Sequence, residues 1–523
     1  MFRIFGPPGT GKTTKLLNMV DQALESGIQP SQIAFLAFTR KAANEAKERA
    51  AERFQLNPET DLFYFRTLHS LAYRLLNIKE KDLMQAKHYK ELGAMIGFQL
   101  NQVRTSDMDD GKAGISEHPI LSIINLARLK KISLKAQYNL SNIRSTWHEV
   151  EYVATSYDDY KDTNHLVDYT DMLSLFVKSY ETICPSFKLC FLDEAQDLSP
   201  LQWDIAHALD HKSEKMYCAG DDDQAIYRWA GADVDHFINL PGGSEVLEQS
   251  YRIPSKVHQL AEGIAKRIVH RFPKAYKPKR DIGEVLIISD VRMLDMSEGS
   301  WLIMAQANYM LAPVAELLKS GGYLFERNGV RSISENLSTA VNSWERLRKG
   351  AAVYRSSVKA MYRYMAGNGE KIARGKKTIT GDSGDLLTYD KLVEDHGLLA
   401  SKDEPWFEAL NKIPPTERIY ITALLRRGEK FNAIPRIRLS TIHGTKGGEA
   451  ENVVLFTDLT QAALDTPGDD LHRVFYVGVT RTMSNLFIVE PEDYQRAYSI
   501  RKRMNLTRST TTNAPNVGSW LHL

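Results

Sequence analysis

Residues Gly6-Pro7-Pro8-Gly9-Thr10-Gly11-Lys12-Thr13 fit the pattern G-x-x-x-x-G-K-[ST]. The apolar run 2–5 before them reads as a strand, and a helix is expected to begin near Lys12. A loop of this kind works only between a strand and a helix. Its glycines let backbone N–H groups turn inward around phosphate oxygens, and the helix aims its positive end at the same point. Lys12 would reach the β and γ phosphates, and the Thr13 hydroxyl would ligate magnesium. The chain is therefore expected to be α/β, built on a parallel sheet, and to bind a nucleotide. Kinases and transport ATPases carry the same loop, so the chemistry must be read elsewhere.

At 523 residues the chain exceeds one typical domain about threefold. Strand-like runs recur at 33–38, 189–192 and 216–219, then at 285–289, 301–305, 437–441, 453–456 and 486–489. Alternation of such runs with helical patterns indicates two α/β zones. Each zone is interrupted where the strand pattern fades, by 75–167 and by 341–435. The expected division is 1–74 with 168–249 (1A), 75–167 (1B), 250–340 with 436–500 (2A), a reduced insertion 341–435 (2B), and a basic, polar and flexible tail 501–523. That tail could hold a protein partner.

Sixty-seven Lys and Arg against 65 Asp and Glu leave a formal charge of +2. Near-balance excludes a uniformly basic binder but not a local basic groove. Three cysteines cannot build a disulfide framework and fall short of the usual four-thiolate metal site. With no apolar run of membrane-spanning length and no leader expected ahead of the phosphate loop, the cytoplasm, of a bacterium or of a virus-infected host, is the expected location.

The buried-strand run 189–192 ends in Asp193-Glu194. An acid at the carboxyl end of a central strand lies beside the phosphate loop, where open α/β sheets bind ligands. Asp193 suits the magnesium shell, and Glu194 could accept the proton of an attacking water. Further on, Asp193-Glu194-Ala195-Gln196-Asp197 resembles motif II of the UvrD/Rep/PcrA group of superfamily 1 helicases. Gly220-Asp221-Asp222-Asp223-Gln224-Ala225-Ile226-Tyr227-Arg228-Trp229 resembles motif III, and Leu247-Glu248-Gln249-Ser250-Tyr251-Arg252 motif IV. Thr441-Ile442-His443-Gly444-Thr445-Lys446-Gly447-Gly448-Glu449 is similar to motif V, and Tyr476-Val477-Gly478-Val479-Thr480-Arg481 to motif VI. Phe38-Thr39-Arg40-Lys41-Ala42-Ala43 and Thr67-Leu68-His69-Ser70 look like motifs Ia and Ib. The order is the family's.

The resemblance implies two RecA-like domains with Mg-ATP in the cleft between them. It also implies a DNA-stimulated ATPase that moves 3′→5′ on single-stranded DNA and separates duplex at single-strand/duplex junctions. Lys12, Glu194, Gln224, Arg252 and Arg481 become the expected catalytic set, with Gln224 sensing the γ-phosphate and the two arginines stabilising transferred charge. Glu449 would hold the ribose. Phe38, Thr39, Thr67, His69, Tyr227, Trp229 and His443 become the expected DNA contacts, the aromatic rings stacking on bases. Two alternatives stay open: a translocase that remodels protein–DNA complexes but unwinds weakly, and an ATP-gated DNA clamp without turnover. A monomer is the favoured state.

Departures from the family pattern matter. With five residues ahead of Gly6, the upstream glutamine motif that reads adenine in the family is not expected. Thr14 stands where relatives carry a base-flanking arginine, leaving Tyr251 as the stacking face. Weak discrimination among nucleoside triphosphates is expected. Ala230 and Gln306 stand where relatives often have arginine, so Gln306 is given no role and Arg228 is a partial substitute for the first. Two basic zones remain. Residues 266–280 carry seven Lys and Arg, which by default reads as a solvated face. Residues 346–377 carry ten against the single acid Glu370, and are expected to meet duplex DNA ahead of the motor.

Overall fold

The computed structural model describes residues 1–37, 40–100, 118–465 and 468–500. Phe38, Thr39 and the 501–523 tail, for which roles were expected, lie outside the described residues. The backbone gathers into two compact units, one of 1–287 with 442–500 and the other of 288–441 among the described residues.

In the first unit, β1 (Phe2–Phe5), β2 (Ile33–Ala37), β3 (Phe65–Thr67), β4 (Phe187–Leu192), β5 (Ser213–Gly220) and β6 (Ser244–Val246) form one sheet, ordered β3-β2-β4-β5-β1-β6. Every pairing in it is parallel. Both faces are covered, as a parallel sheet requires. Alternate residues of one strand therefore enter different cores: Phe35, Ala37 and Phe191 pack with Leu16, Leu17 and Val20 of helix α1 (Lys12–Glu25). Leu36, Cys190 and Leu192 pack instead with Leu173, Phe176 and Trp203. Strands β3 and β6 are three residues each and carry no alternation long enough to read in the sequence. The three cysteines are buried and free.

The 75–167 interruption holds helices at Ala86–Ile96, Pro119–Leu129, Leu134–Asn139 and Trp147–Asn164. They share a core of their own around Tyr89, Leu92, Ile120, Val153 and Tyr157. The chain returns to the sheet through the helix Tyr169–Ile183, whose N-cap is Asp168. The first unit also contains two strands, Ala450–Phe456 and Thr482–Val489, paired in parallel with Val453 opposite Leu486.

The second unit carries the strands Trp301–Ala305, Phe325–Arg327, Val330–Arg331 and Ile437–Thr441. Ile437–Thr441 pairs in parallel with both Trp301–Ala305 and Phe325–Arg327. Its 341–435 interruption is helical, with a small antiparallel ladder between Val353–Tyr354 and Leu386–Leu387. No helix among the described residues is long and apolar enough to cross a membrane.

Candidate nucleotide site and stacking surface

Three loops leave the carboxyl ends of β1, β4 and β5 side by side, because β5 lies between β1 and β4. From β1, Gly9 and Gly11 take positive φ of 71° and 78°, which only glycine adopts readily. At Gly9 a side chain would also collide with the 250–252 segment: a Cβ there would meet Arg252 Cβ at 2.3 Å. Tyr251 N–H donates to the Gly9 carbonyl at 2.8 Å, and Ser250 Oγ donates to the Pro8 carbonyl at 2.8 Å. Thr10 Oγ1 donates to the Pro7 carbonyl at 2.7 Å, which closes the loop. Lys12 Nζ turns back to the Gly6 carbonyl at 3.0 Å and lies 4.0 Å from Glu194. Thr14 is exposed, and Tyr251 is 75% exposed.

From β4 come the two acids. Thr13 Oγ1 donates to Asp193 Oδ2 at 2.5 Å, setting a hydroxyl and a carboxylate oxygen together as a hard cation prefers. Burial, then the neighbouring Glu194 charge, raises the Asp193 carboxyl above its ordinary range. Bound magnesium would relieve both, so these residues fit the ion. Glu194 is half-buried, its side chain 28% exposed; desolvation opposes its charge, but Lys12 and Lys446 outweigh that cost and hold its carboxylate below the usual range. Its φ of 55° is left-handed, a sparsely populated conformation for any residue other than glycine. Gln196 Nε2 donates to Glu194 Oε2 at 2.6 Å, and Gln196 Oε1 accepts from Asp221 N–H at 2.9 Å.

From β5, Gln224 Nε2 donates to Asp221 Oδ2 at 2.6 Å and Gln224 Oε1 accepts from Arg481 at 2.5 Å. Arg481 is buried and also donates to the Val477 and Gly448 carbonyls. Burial and the nearby Arg252 charge push its guanidinium down to about 9. A polyphosphate would offset that penalty. Arg252 Nε donates to Glu449 Oε2 at 2.5 Å, so the expected finger and the expected ribose ligand are paired with each other. Lys12, Asp193, Glu194, Gln224 and Arg481 thus meet in one place, with Arg252 and Glu449 at its rim.

The chain continues from Gln224 into the stacking segment. Trp229 is 63% exposed, so it is not a core tryptophan. Its ring meets His443 edge-on at 6.2 Å, and Tyr227 donates to the His443 carbonyl at 3.2 Å. Trp229 lines a cavity of about 410 Å³ with Leu126, Lys130 and Leu140 of the helical insertion. Thr67 and His69 line a separate cavity of about 350 Å³ with Arg40, Lys47 and Arg66. Thr67 is already engaged, its hydroxyl capping the helix Leu68–Leu75 through Ser70 N–H at 3.2 Å. Burial and Arg40 lower His69 to about 4, leaving it neutral.

Residues 2–242 match the family model of the UvrD/REP helicase N-terminal domain, and 436–489 match that of the UvrD-like helicase C-terminal domain. The chain belongs to the UvrD-like helicase family. The ATP-dependent DNA helicase PcrA of Bacillus subtilis is 26% identical over 293 residues, covering 53% of this chain and 39% of the relative. PcrA of Staphylococcus aureus strain Mu50 is 25% identical over 298 residues, covering 54% and 40%. The chain thus spans about two fifths of the length of these relatives. Among solved structures, a complex of arterivirus nonstructural protein 10 (helicase) with DNA aligns over 94% of this chain and 62% of its own. Its identity is 11% and its TM-score 0.32.

Two features of this UvrD-like chain escaped the sequence reading. One is Lys446, whose ammonium bonds the Asp197 carboxylate and donates to the Gln224 carbonyl at 3.2 Å. The other corrects the expectation for 266–280. Lys274 is not on a solvated face: its side chain is 1% exposed, with Asp221 at 3.2 Å, Asp222 at 2.5 Å and Asp223 at 2.8 Å. Arg271 grips Asp223 through two hydrogen bonds of 2.8 and 2.6 Å. Three successive buried carboxylates need cations nearby, so Asp221-Asp222-Asp223 itself was the available signal. Arg228 pairs with Asp235 and Asp470 and lies in the stacking turn.

Proposed function

We propose that this chain is a DNA-stimulated ATPase that moves 3′→5′ along single-stranded DNA and separates duplex at junctions. The observation that carries the reading is Gln224. Its side chain bonds Arg481 beside the phosphate loop, and three and five residues later the same segment presents Tyr227 and Trp229. Lys12 and the loop N–H groups would hold the β and γ phosphates. Magnesium, held by Thr13 and Asp193, would neutralise phosphate charge when bound. Glu194 would take a proton from water as its oxygen bonds the γ-phosphorus and the bond to the β-phosphate oxygen breaks. Arg252 and Arg481 would stabilise the charge that develops, and Glu449 would release Arg252 and take the ribose.

Segments 75–167 and 341–435 serve in this reading as accessory insertions of two RecA-like lobes. Thr39, Thr67, His69 and His443 serve as backbone or sugar ligands and Phe38 as a further ring. The chain works as a monomer in the cytoplasm, and its tail is open to a protein partner.

The test is phosphate release with and without oligonucleotide, followed by unwinding of 3′- and 5′-tailed duplexes, for wild type, Lys12→Ala and Glu194→Gln. Stimulation by the strand and unwinding of the 3′-tailed substrate alone are expected, both lost in the variants. Equal turnover with and without the strand would overturn the motor. Stimulated turnover without unwinding would leave a translocase that remodels complexes, and strand binding gated by ATP without turnover would leave a clamp.

A further inference from the structure

We propose that Lys446 is a positioning residue that links the hydrolytic carboxylate to the base-stacking surface. The proposal rests on the roles given above to Glu194 and Trp229. The Lys446 ammonium bonds the Asp197 carboxylate, donates to the Gln224 carbonyl at 3.2 Å, and stands 3.7 Å from Glu194 Oε2. It also lies 5.1 Å from the centre of the Tyr227 ring, within range of a cation–π attraction. An ammonium has three donors on a flexible stem, and here the cation joins two separate stretches of chain, 194–197 and 224–227.

Each of the groups it meets does something different in the proposed mechanism. Glu194 faces the attacking water. Gln224 holds Arg481 and opens the stacking segment. Asp197 ends the turn that follows Glu194, and Gln196 within that turn joins Glu194 to Asp221. Lys446 itself sits three residues after His443, whose carbonyl receives Tyr227 Oη and whose ring faces Trp229. A displacement of the 443–446 segment would therefore move the stacking edge and the cation beside Glu194 together. A cation serving only to neutralise Asp197 would have no need of Glu194 or Tyr227. At 11% side-chain exposure, solvent screens these interactions little.

Lys446→Met keeps the apolar stem and removes the charge, and the nearly isosteric Asp197→Asn loosens the same link from the other side. Steady-state ATP hydrolysis with and without an oligo-dT strand, nucleotide-free strand affinity, and the tryptophan emission change on adding a nonhydrolysable ATP analogue are measured for each. Trp229→Phe identifies the part of that emission due to Trp229. Both variants are expected to keep KM for ATP and strand affinity within about threefold of wild type. Stimulation of kcat by the strand should fall about tenfold or more, the scale of a missing charge-assisted hydrogen bond, and the Trp229 response should disappear. If wild type is stimulated and both variants are stimulated equally with an intact Trp229 response, the inference fails while the motor reading stands. If wild type gains no rate from the strand, both fail. Should Lys446→Met not fold, Asp197→Asn decides by the same criteria.

Discussion

Arg481 donates to the side-chain carbonyl of Gln224 at 2.5 Å, across 257 positions of sequence, and both side chains are buried. The residue expected to sense the γ-phosphate and the residue expected to stabilise its charge are thus one hydrogen-bonded unit. A planar guanidinium suits that task because it presents several donors in a fixed fork. Arg481→Ala is expected to lower kcat for ATP by about 10³-fold or more, and Arg481→Lys to recover little of it. Adding Gln224→Ala to Arg481→Ala should cost less than Gln224→Ala does alone, since the two side chains act through one shared hydrogen bond. Steady-state kinetics of the double-mutant cycle check this.

Trp229 offers an exposed indole supported on one edge by His443. Replacing a stacking aromatic with alanine typically costs about 1–3 kcal/mol per base, so Trp229→Ala should weaken single-strand binding about 5- to 150-fold. Trp229→Phe should stay close to wild type. Fluorescence anisotropy with a labelled oligonucleotide, without nucleotide, is the measurement.

Beside the loop Thr14 and Tyr251 are exposed, and Tyr251 is the ring expected to stack on the base. A flat ring stacks on any base, and only directed hydrogen bonds reject one. Values of kcat/KM for ATP, GTP and CTP should lie within about a hundredfold of one another, ~2.7 kcal/mol. A wider preference for ATP would count against this prediction.

Asp168 joins the helical insertion to the helix that re-enters the sheet. It accepts from Arg128 at 2.6 Å, Lys161 at 3.1 Å and Tyr157 at 2.9 Å, and caps Thr170 and Asp171. Burial opposes its charge, but Arg128 and Lys161 prevail and hold the carboxyl well below the usual range. A carboxyl depressed in the folded chain takes up its proton more readily when unfolded. Its stabilisation is therefore full above the ordinary value of about 4 and drains away as pH falls towards the folded value. Asp168→Asn leaves Arg128 with Asp171 and Lys161 with Asp171 and Asp158, and should cost about 1.5–3 kcal/mol at neutral pH, the scale of a hydrogen bond to a charged group. Thermal unfolding between neutral pH and pH ~3 should show the gap between wild type and variant narrowing with acid.

In the 346–377 zone the ten cations are not equivalent. Arg348, Arg355 and Lys371 are committed to Glu345, Asp385 and Glu404. Arg346, Lys349, Lys359, Arg363, Arg374, Lys376 and Lys377 are exposed, Lys377 being lowered by partial desolvation and then by its neighbour Lys412. Reversing Lys359, Arg363, Arg374 and Lys376 to Glu should weaken forked-duplex binding and reduce its salt slope by about 0.9 for each phosphate no longer neutralised. Reversing Arg348 and Lys371 should do so less, while destabilising the unit. An unchanged slope in the first variant would place the duplex elsewhere.

Much of this protein is written locally. The strand–loop–helix at Gly6 to Thr13, the acids closing a buried strand, and the runs 2–5, 301–305 and 437–441 are short patterns whose conformation follows from neighbouring residues, and each lies where the pattern indicates. The family's motif order is equally a property of the string. Strands of two or three residues, such as Phe65–Thr67 and Val330–Arg331, have too few alternations to be read and form because a neighbouring strand offers its edge. The partners of charges are decided in the same non-local way. Nothing adjacent to Lys274 shows that Asp221, Asp222 and Asp223 will enclose it, nor does anything near Lys446 announce Asp197 and Glu194. Ion pairs depend on distance in space, and the side chains that meet here come from stretches of chain that only the folded sheet and its crossing loops bring together.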